Sequence, residues 1–140
     1  MNVSEVMTPN PRTCQPNSTL QDAAKIMRDE DTGAVPVVEG GRVVGMVTDR
    51  DIVVRGIAEG SAGDRKVREI LSGDVVCATP EMSTAEAADL MGEHQIRRLP
   101  VVEGDKLVGI VSLGDLAVKT GKDKHTGDTL ETISEGVKRH

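Results

Sequence analysis

The chain has 140 residues, 37% hydrophobic and 29% charged, with 23 acidic residues against 17 basic ones for a net charge of −6. This length predicts one compact unit or two small ones sharing a core, and the composition is that of a globular protein, not a disordered or membrane-spanning one. The acidic balance and the lack of a long Lys/Arg run exclude a surface that tracks a phosphate backbone. No apolar run approaches the roughly 20 residues that cross a bilayer, and the opening Met1-Asn2-Val3-Ser4-Glu5 has no signal-peptide pattern. Neither nucleic acid nor membrane is expected as a partner, and the expected compartment is the cytoplasm.

In chain order the first copy of the pattern reads strand, helix, strand, strand, helix. The helix is expected over 19–29, with Leu20, Ala23, Ala24 and Met27 on one face and Ser18 or Thr19 capping it ahead of Gln21 or Asp22. Strands at 34–38 and 42–47 follow, joined through Glu39-Gly40-Gly41 as a hairpin, with Pro36 expected at a strand start or edge because it cannot donate to a ladder. Residues 56–66 are rich in glycine and charge and read as the connection. A second helix is expected over 83–93, with Ala87, Leu90 and Met91 inward and Ser83 set three residues before Glu86 as a cap. Strands at 98–102 and 106–111 join through Glu103-Gly104-Asp105, with Pro100 placed like Pro36. Beyond about residue 119 the chain turns polar, with Leu130, Ile133 and Val137 at the spacing of a short amphipathic helix.

The second half repeats the first at an offset of 64, Pro36-Val37-Val38-Glu39-Gly40 returning as Pro100-Val101-Val102-Glu103-Gly104, and residues 3–52 align with 67–116 without a gap. The division expected is a first repeat over 1–58, a linker over 59–66, a second repeat over 67–119 and a polar tail over 120–140. A copy of about 50 residues buries little surface alone, so the pair is expected to fold as one unit. No Phe, Tyr or Trp occurs. The core must come from Val, Ile, Leu, Met and Ala, and a planar ligand would be gripped by aliphatic side chains and backbone.

Each copy closes on a hydroxyl residue with a carboxylate three positions later, where a strand passes into a helix: Thr48 with Asp51, and Ser112 with Asp115. One reading is structural, a helix cap with an acid favoured by the helix dipole. The other is functional: a carboxylate can accept from both hydroxyls of a ribose, and the hydroxyl with first-turn amides can meet a phosphate. A phosphate beside a carboxylate also needs a cation, and Arg97 and Arg98, with Arg50 behind them, are the candidates. No nucleophile with a base and no convergent acid–base pair is present, and His94, His125 and His140 are far apart, so neither a catalytic site nor a metal site is expected. Cys14 and Cys77 lack CxxC spacing and read as reduced thiols, with a redox role for Cys14 left open.

Together, Val3-Ser4-Glu5-Val6-Met7-Thr8-Pro9, Arg97-Arg98-Leu99-Pro100-Val101-Val102 and the closing Gly-x-Val-Thr/Ser-x-x-Asp of each copy resemble a tandem pair of cystathionine β-synthase (CBS) domains, the Bateman module, over residues 3 to about 119. The resemblance implies an α/β (α+β) fold of two β-α-β-β-α repeats packed as an intramolecular pseudo-twofold pair with two clefts. It implies a regulatory sensor that is not an enzyme, with no required cofactor. Its ligand would be AMP, ADP, ATP, NAD or S-adenosylmethionine, with Asp51 and Asp115 on ribose, Thr48 and Ser112 as their partners, and the adenine against Val, Ile, Leu and Pro side chains and strand backbone around Thr13, Cys14, Cys77 and Ala78. It further implies a homodimer and a separate effector protein. The alternative is an interaction module of the same fold without a working nucleotide site. Arg97-Arg98 aligns with Gly33-Ala34, so the phosphate-directed cations come from one copy only, and one competent cleft, or two with different ligands, is expected.

Overall fold

The computed structural model describes residues 1–60, 63–71 and 75–119; the candidate helix around Leu130, Ile133 and Val137 lies outside the described residues. The fold is mixed α+β with antiparallel hairpins, and the chain divides into two compact units. One is Pro11–Val75, the first-repeat unit; the other joins Met1–Asn10 to the chain from Val76 onward, the second-repeat unit.

In the first-repeat unit, α2 (Leu20–Glu30) starts at Thr19, whose Oγ1 accepts from the Asp22 N–H at 3.1 Å while the Asp22 carboxylate accepts from the Thr19 N–H at 3.0 Å. This reciprocal cap satisfies two amides that the helix itself leaves open. Strands β2 (Ala34–Glu39) and β3 (Arg42–Thr48) form the expected hairpin, with Glu39 opposite Arg42 and only Gly40 and Gly41 between them. Both turn residues have left-handed φ, +60° and +83°, the combination a tight hairpin demands and glycine supplies without strain. Pro36 lies inside β2, opposite Met46, and is buried, rather than at the strand's start. Its carbonyl accepts from the Cys14 N–H, so its backbone edge faces away from β3 and the missing donor costs the hairpin nothing.

The core of this unit is Leu20, Ala23, Ile26 and Met27 of α2 against Val35, Val37 and Val47, with Cys14, Val67 and Ile70. Ala24, expected on the inner face, is exposed, and Ile26 takes the buried place. The first strand of the repeat is reduced to a single bridge, Cys14 beside Val37.

The second-repeat unit is built alike. Helix α4 (Thr84–His94) is capped by Ser83, whose Oγ accepts from the Glu86 N–H at 3.0 Å. Strands β4 (Arg98–Glu103) and β5 (Lys106–Ser112) pair through Glu103 and Lys106, and Ala78 bridges Val101 as Cys14 bridges Val37. The core holds Ala87, Ala88 and Met91 of α4, Leu99, Val101 and Val111 of the hairpin, and Leu113 and Leu116 of α5 (Leu113–Lys119), with Leu90 packed at its margin.

Each repeat's opening segment belongs to the unit built on the other repeat. Helix α1 (Val3–Val6) and β1 (Thr8–Pro9) lie in the second-repeat unit, where Val3 and Val6 join the core and Thr8 pairs with Ile110. The corresponding 3-10 turn Val67–Glu69 lies in the first-repeat unit with Val67 and Ile70 in its core. The hydrogen bonds repeat at the same offset: Val3 N–H to the Met82 carbonyl matches Val67 N–H to the Ser18 carbonyl, and Ser4 N–H to Pro80 matches Arg68 N–H to Pro16. The sequence repeat and the packing unit therefore cut the chain in different places.

Candidate functional site

Both hydroxyl–carboxylate motifs sit where a hairpin's second strand ends. In the first-repeat unit Thr48 closes β3 and caps a short helix, α3 (Asp49–Asp51), that widens into a π-helical segment, Ile52–Gly56, and then a 3-10 turn, Ile57–Glu59. Thr48 Oγ1 accepts from the Asp51 N–H at 3.1 Å, and Asp51 Oδ2 accepts from the Thr48 N–H at 3.1 Å. In the second-repeat unit Ser112 Oγ accepts from the Asp115 N–H at 3.0 Å and Asp115 Oδ2 accepts from the Ser112 N–H at 3.2 Å.

The capping arrangement is thus real in both copies, and it leaves room for ligand chemistry. Each carboxylate uses one oxygen on the cap and keeps the other, and each hydroxyl accepts at the cap while its own hydrogen remains able to donate. The cap fixes the side-chain rotamers before any ligand arrives, the preorganisation that lowers the entropic cost of binding.

Of the candidate cations, Arg97 and Arg98 belong to the same unit as Ser112 and Asp115. Arg98 stands directly opposite Ser112 in the β4–β5 ladder and is half-buried; Arg97 is exposed, and its carbonyl accepts from the Leu113 N–H at 2.8 Å. Arg50 belongs to the first-repeat unit, within the Thr48–Asp51 motif itself, where its N–H donates to Asp49 Oδ1 at 2.8 Å. In the first-repeat unit the places of Arg97 and Arg98 are held by Gly33 and Ala34. The Asp49 N–H donates to the Gly33 carbonyl at 2.9 Å, and Ala34 stands opposite Thr48.

The residues expected to meet a planar ligand divide by role. Cys14 and Ala78 are buried, and their N–H and carbonyl groups are spent on β2 and β4: Cys14 bonds Pro36 and Val38, and Ala78 bonds Pro100 and Val102. Thr13 is exposed and lines a pocket of about 240 Å³ with Gln15, Val38 and the Gly40-Gly41 turn; Cys77 is half-buried. Burial, with the Asp22 charge second, pushes the Cys14 thiol up to about 11, and burial raises Cys77 as well. Both cysteines are free, and at neutral pH a thiol shifted this way is protonated and a poor nucleophile, which weighs against a redox role for Cys14. Among the described residues no group of three or more His, Cys, Asp and Glu is placed to hold a metal ion, and no helix is long and apolar enough to cross a membrane.

Two structurally alike units that come from one sequence repeat, each ending in the same capped hydroxyl–carboxylate turn, define a tandem-domain protein. The CBS domain family model matches residues 3–56 and 67–119, and the chain belongs to this family. It is 47% identical over 132 residues to the CBS domain-containing protein YhcV of Bacillus subtilis, covering 94% of each chain. Among solved structures it is similar to the CBS domain pair of protein MJ0100 in complex with 5′-methylthioadenosine and S-adenosyl-L-methionine. That match has a TM-score of 0.79, 27% identity and coverage of 89% of this chain and 98% of the other. It is also similar to CBSX2 in complex with AMP, with a TM-score of 0.74, 25% identity and coverage of 85% and 95%.

Proposed function

We propose that this protein is a regulatory sensor that binds an adenosine-containing ligand at its hydroxyl–carboxylate motifs, Asp51 and Asp115 accepting from ribose hydroxyls and Thr48 and Ser112 acting beside them. The observation that carries the reading is the second-repeat motif. A carboxylate in the first turn of α5 with one oxygen uncommitted, a hydroxyl held by the same cap at the end of β5, and Arg98 opposite that hydroxyl on β4 put a ribose acceptor and a phosphate-directed cation at the same end of one hairpin. The adenosyl ligands of MJ0100 and CBSX2 support the same chemical class. The backbone groups of Thr13 and Cys77, next to residues whose own groups are spent on β2 and β4, are candidates for the base, and aliphatic side chains supply the rest of its contact.

The protein acts by binding, in the cytoplasm, and passes its state to a separate effector. A homodimer is the expected assembly: Val53, Val54 and Ile57 expose 54%, 46% and 63% of their surface, and Ile57 borders an apolar groove of about 390 Å³ with Leu20, Ala24 and Ile52. Isothermal titration calorimetry against AMP, ATP, NAD and S-adenosylmethionine tests the reading. Saturable heat from one of them that Asp115→Ala weakens, with the circular dichroism spectrum unchanged, is the expected result; no heat from all four, with an unchanged melting temperature, refutes it and leaves the interaction module.

A further inference from the structure

The two motifs share one backbone frame and carry opposite charge. Residue 49 or 113 donates its N–H to the carbonyl of residue 33 or 97, at 2.9 Å and 2.8 Å, and residue 34 or 98 stands opposite residue 48 or 112. On that frame the first-repeat unit places Gly33, Ala34, Thr48, Asp49, Arg50 and Asp51, one basic residue and two acidic ones for a local charge of −1. The second-repeat unit places Arg97, Arg98, Ser112, Leu113, Gly114 and Asp115, two basic residues and one acidic one for +1.

The difference centres on residues 33 and 49. Gly33 does not adopt a left-handed φ, so its backbone does not require glycine. A Cβ at residue 33 would lie 3.0 Å from Asp49 Oδ2, so a side chain at 33 would push the exposed Asp49 carboxylate aside by a few tenths of an ångström. Its other oxygen is held by the Arg50 N–H. In the second-repeat unit the equivalent Leu113 is turned into the core, 3% exposed, and Arg97 grows from the place that Asp49 covers in the other copy. The first-repeat motif thus carries its extra carboxylate where the second carries its extra guanidinium.

We infer that the two motifs take adenosyl ligands of different charge: Ser112–Asp115, with Arg97 and Arg98, takes one that carries a phosphate, and Thr48–Asp51 takes one without a phosphate, neutral or cationic, with Asp49 as the residue that excludes the anion. This rests on the sensor reading above and adds the ligand class of each motif. The residues around Ser112 offer a phosphate two arginines against one carboxylate, whereas those around Thr48 offer one arginine, Arg50, against two carboxylates. A sulfonium or a plain nucleoside has no such conflict.

AMP and adenosine, which differ only by the phosphate, are the probes for calorimetry. The wild-type protein should bind one AMP per chain, and the AMP-saturated protein should still take up adenosine. Asp115→Ala should abolish the AMP site and keep the adenosine site, and Asp51→Ala should do the reverse. Asp49→Asn keeps the shape and removes the charge, and it should strengthen AMP binding at the first-repeat motif on the order of tenfold, the effect of one carboxylate near a phosphate in a partly screened medium. The double variant Gly33→Arg with Asp49→Leu, which copies the other repeat, should bind two AMP per chain. Two equal AMP sites in the wild type, loss of AMP binding with Asp51→Ala in place of Asp115→Ala, or unchanged AMP affinity in Asp49→Asn would each overturn the inference while leaving the sensor reading intact. No heat from either probe in the wild-type protein would overturn both.

Discussion

Raising the pH through the thiol range should destabilise the protein through Cys14. The side chain is 4% exposed in the first-repeat core, and its folded pKa is pushed from 9.0 up to about 11, by burial first and by the Asp22 charge second. The folded state thus holds the proton more tightly than the unfolded chain does. The resulting stability is fully present below about pH 9 and is lost as pH rises through the folded value. At about 1.36 kcal/mol per unit, a shift of about two units amounts to about 2.7 kcal/mol in full and to about 1.4 kcal/mol by about pH 10, a tenfold change in the unfolding equilibrium.

With no aromatic residue in the chain, urea unfolding is best followed by far-ultraviolet circular dichroism, with a reductant keeping both thiols free. Cys14→Ala removes the titrating group and leaves Cys77 and the lysines in place, so their alkaline effects cancel in the comparison. The gap in unfolding free energy between wild type and variant should shrink by about 1.4 kcal/mol between about pH 8 and about pH 10. Curves that stay parallel over that interval would show that Cys14 is not desolvated as described. The same burial predicts slow alkylation of Cys14 near neutral pH until the protein is unfolded.

Gly109→Ala would place a methyl group 2.5 Å from Met7 Sδ and 3.0 Å from the Thr8 carbonyl oxygen, so it should cost about 1–3 kcal/mol and loosen β1, read as faster exchange of the Asn10 amide that donates to Val108. Met91→Ala removes a fully buried side chain from the second-repeat core and should cost about 2–5 kcal/mol in the same urea assay. Ser112→Ala removes the cap on α5 and should cost about 1 kcal/mol, with Ser112→Thr close to wild type; equal stability of all three proteins would mean the cap contributes nothing.

The regular elements were legible because apolar spacing and caps are local signals. The 64-residue offset located both hairpins, and Thr19 and Ser83 marked helix starts to within a residue. The exchange of opening segments was not legible, since Val3, Val6 and Met7 follow the same apolar spacing as Val67, Ile70 and Leu71 and nothing local says which copy each completes. Nor was the π-helical stretch after Asp51. There Ile52, Val53 and Val54 form a β-branched run with weak helical preference, and Gly56 lies so close to Leu20 that a Cβ would sit 2.8 Å from its Cδ1. The second copy has Leu116, Ala117 and Val118 at those positions and stays α-helical. At the site, the hydroxyl–carboxylate pairs and the arginines could be read from spacing alone. The role of Asp49 could not, because it depends on a side chain reaching a residue 16 positions earlier, although the paired change of 33/97 and 49/113 between the copies was a visible trace of it.

On a ribosome the two units would finish at different times. Residues 11–75 are contiguous, so the first-repeat core can close as soon as Ile70 has emerged. The opening turn must wait for the core residues from Ala78 to Leu116, about 100 residues of synthesis, or about 5–20 s at the usual elongation rates. Throughout that interval Val3 and Val6, almost fully covered in the finished fold, are without their partners. The opening segment is then an adhesive stretch of the nascent chain, open to capture by another nascent copy.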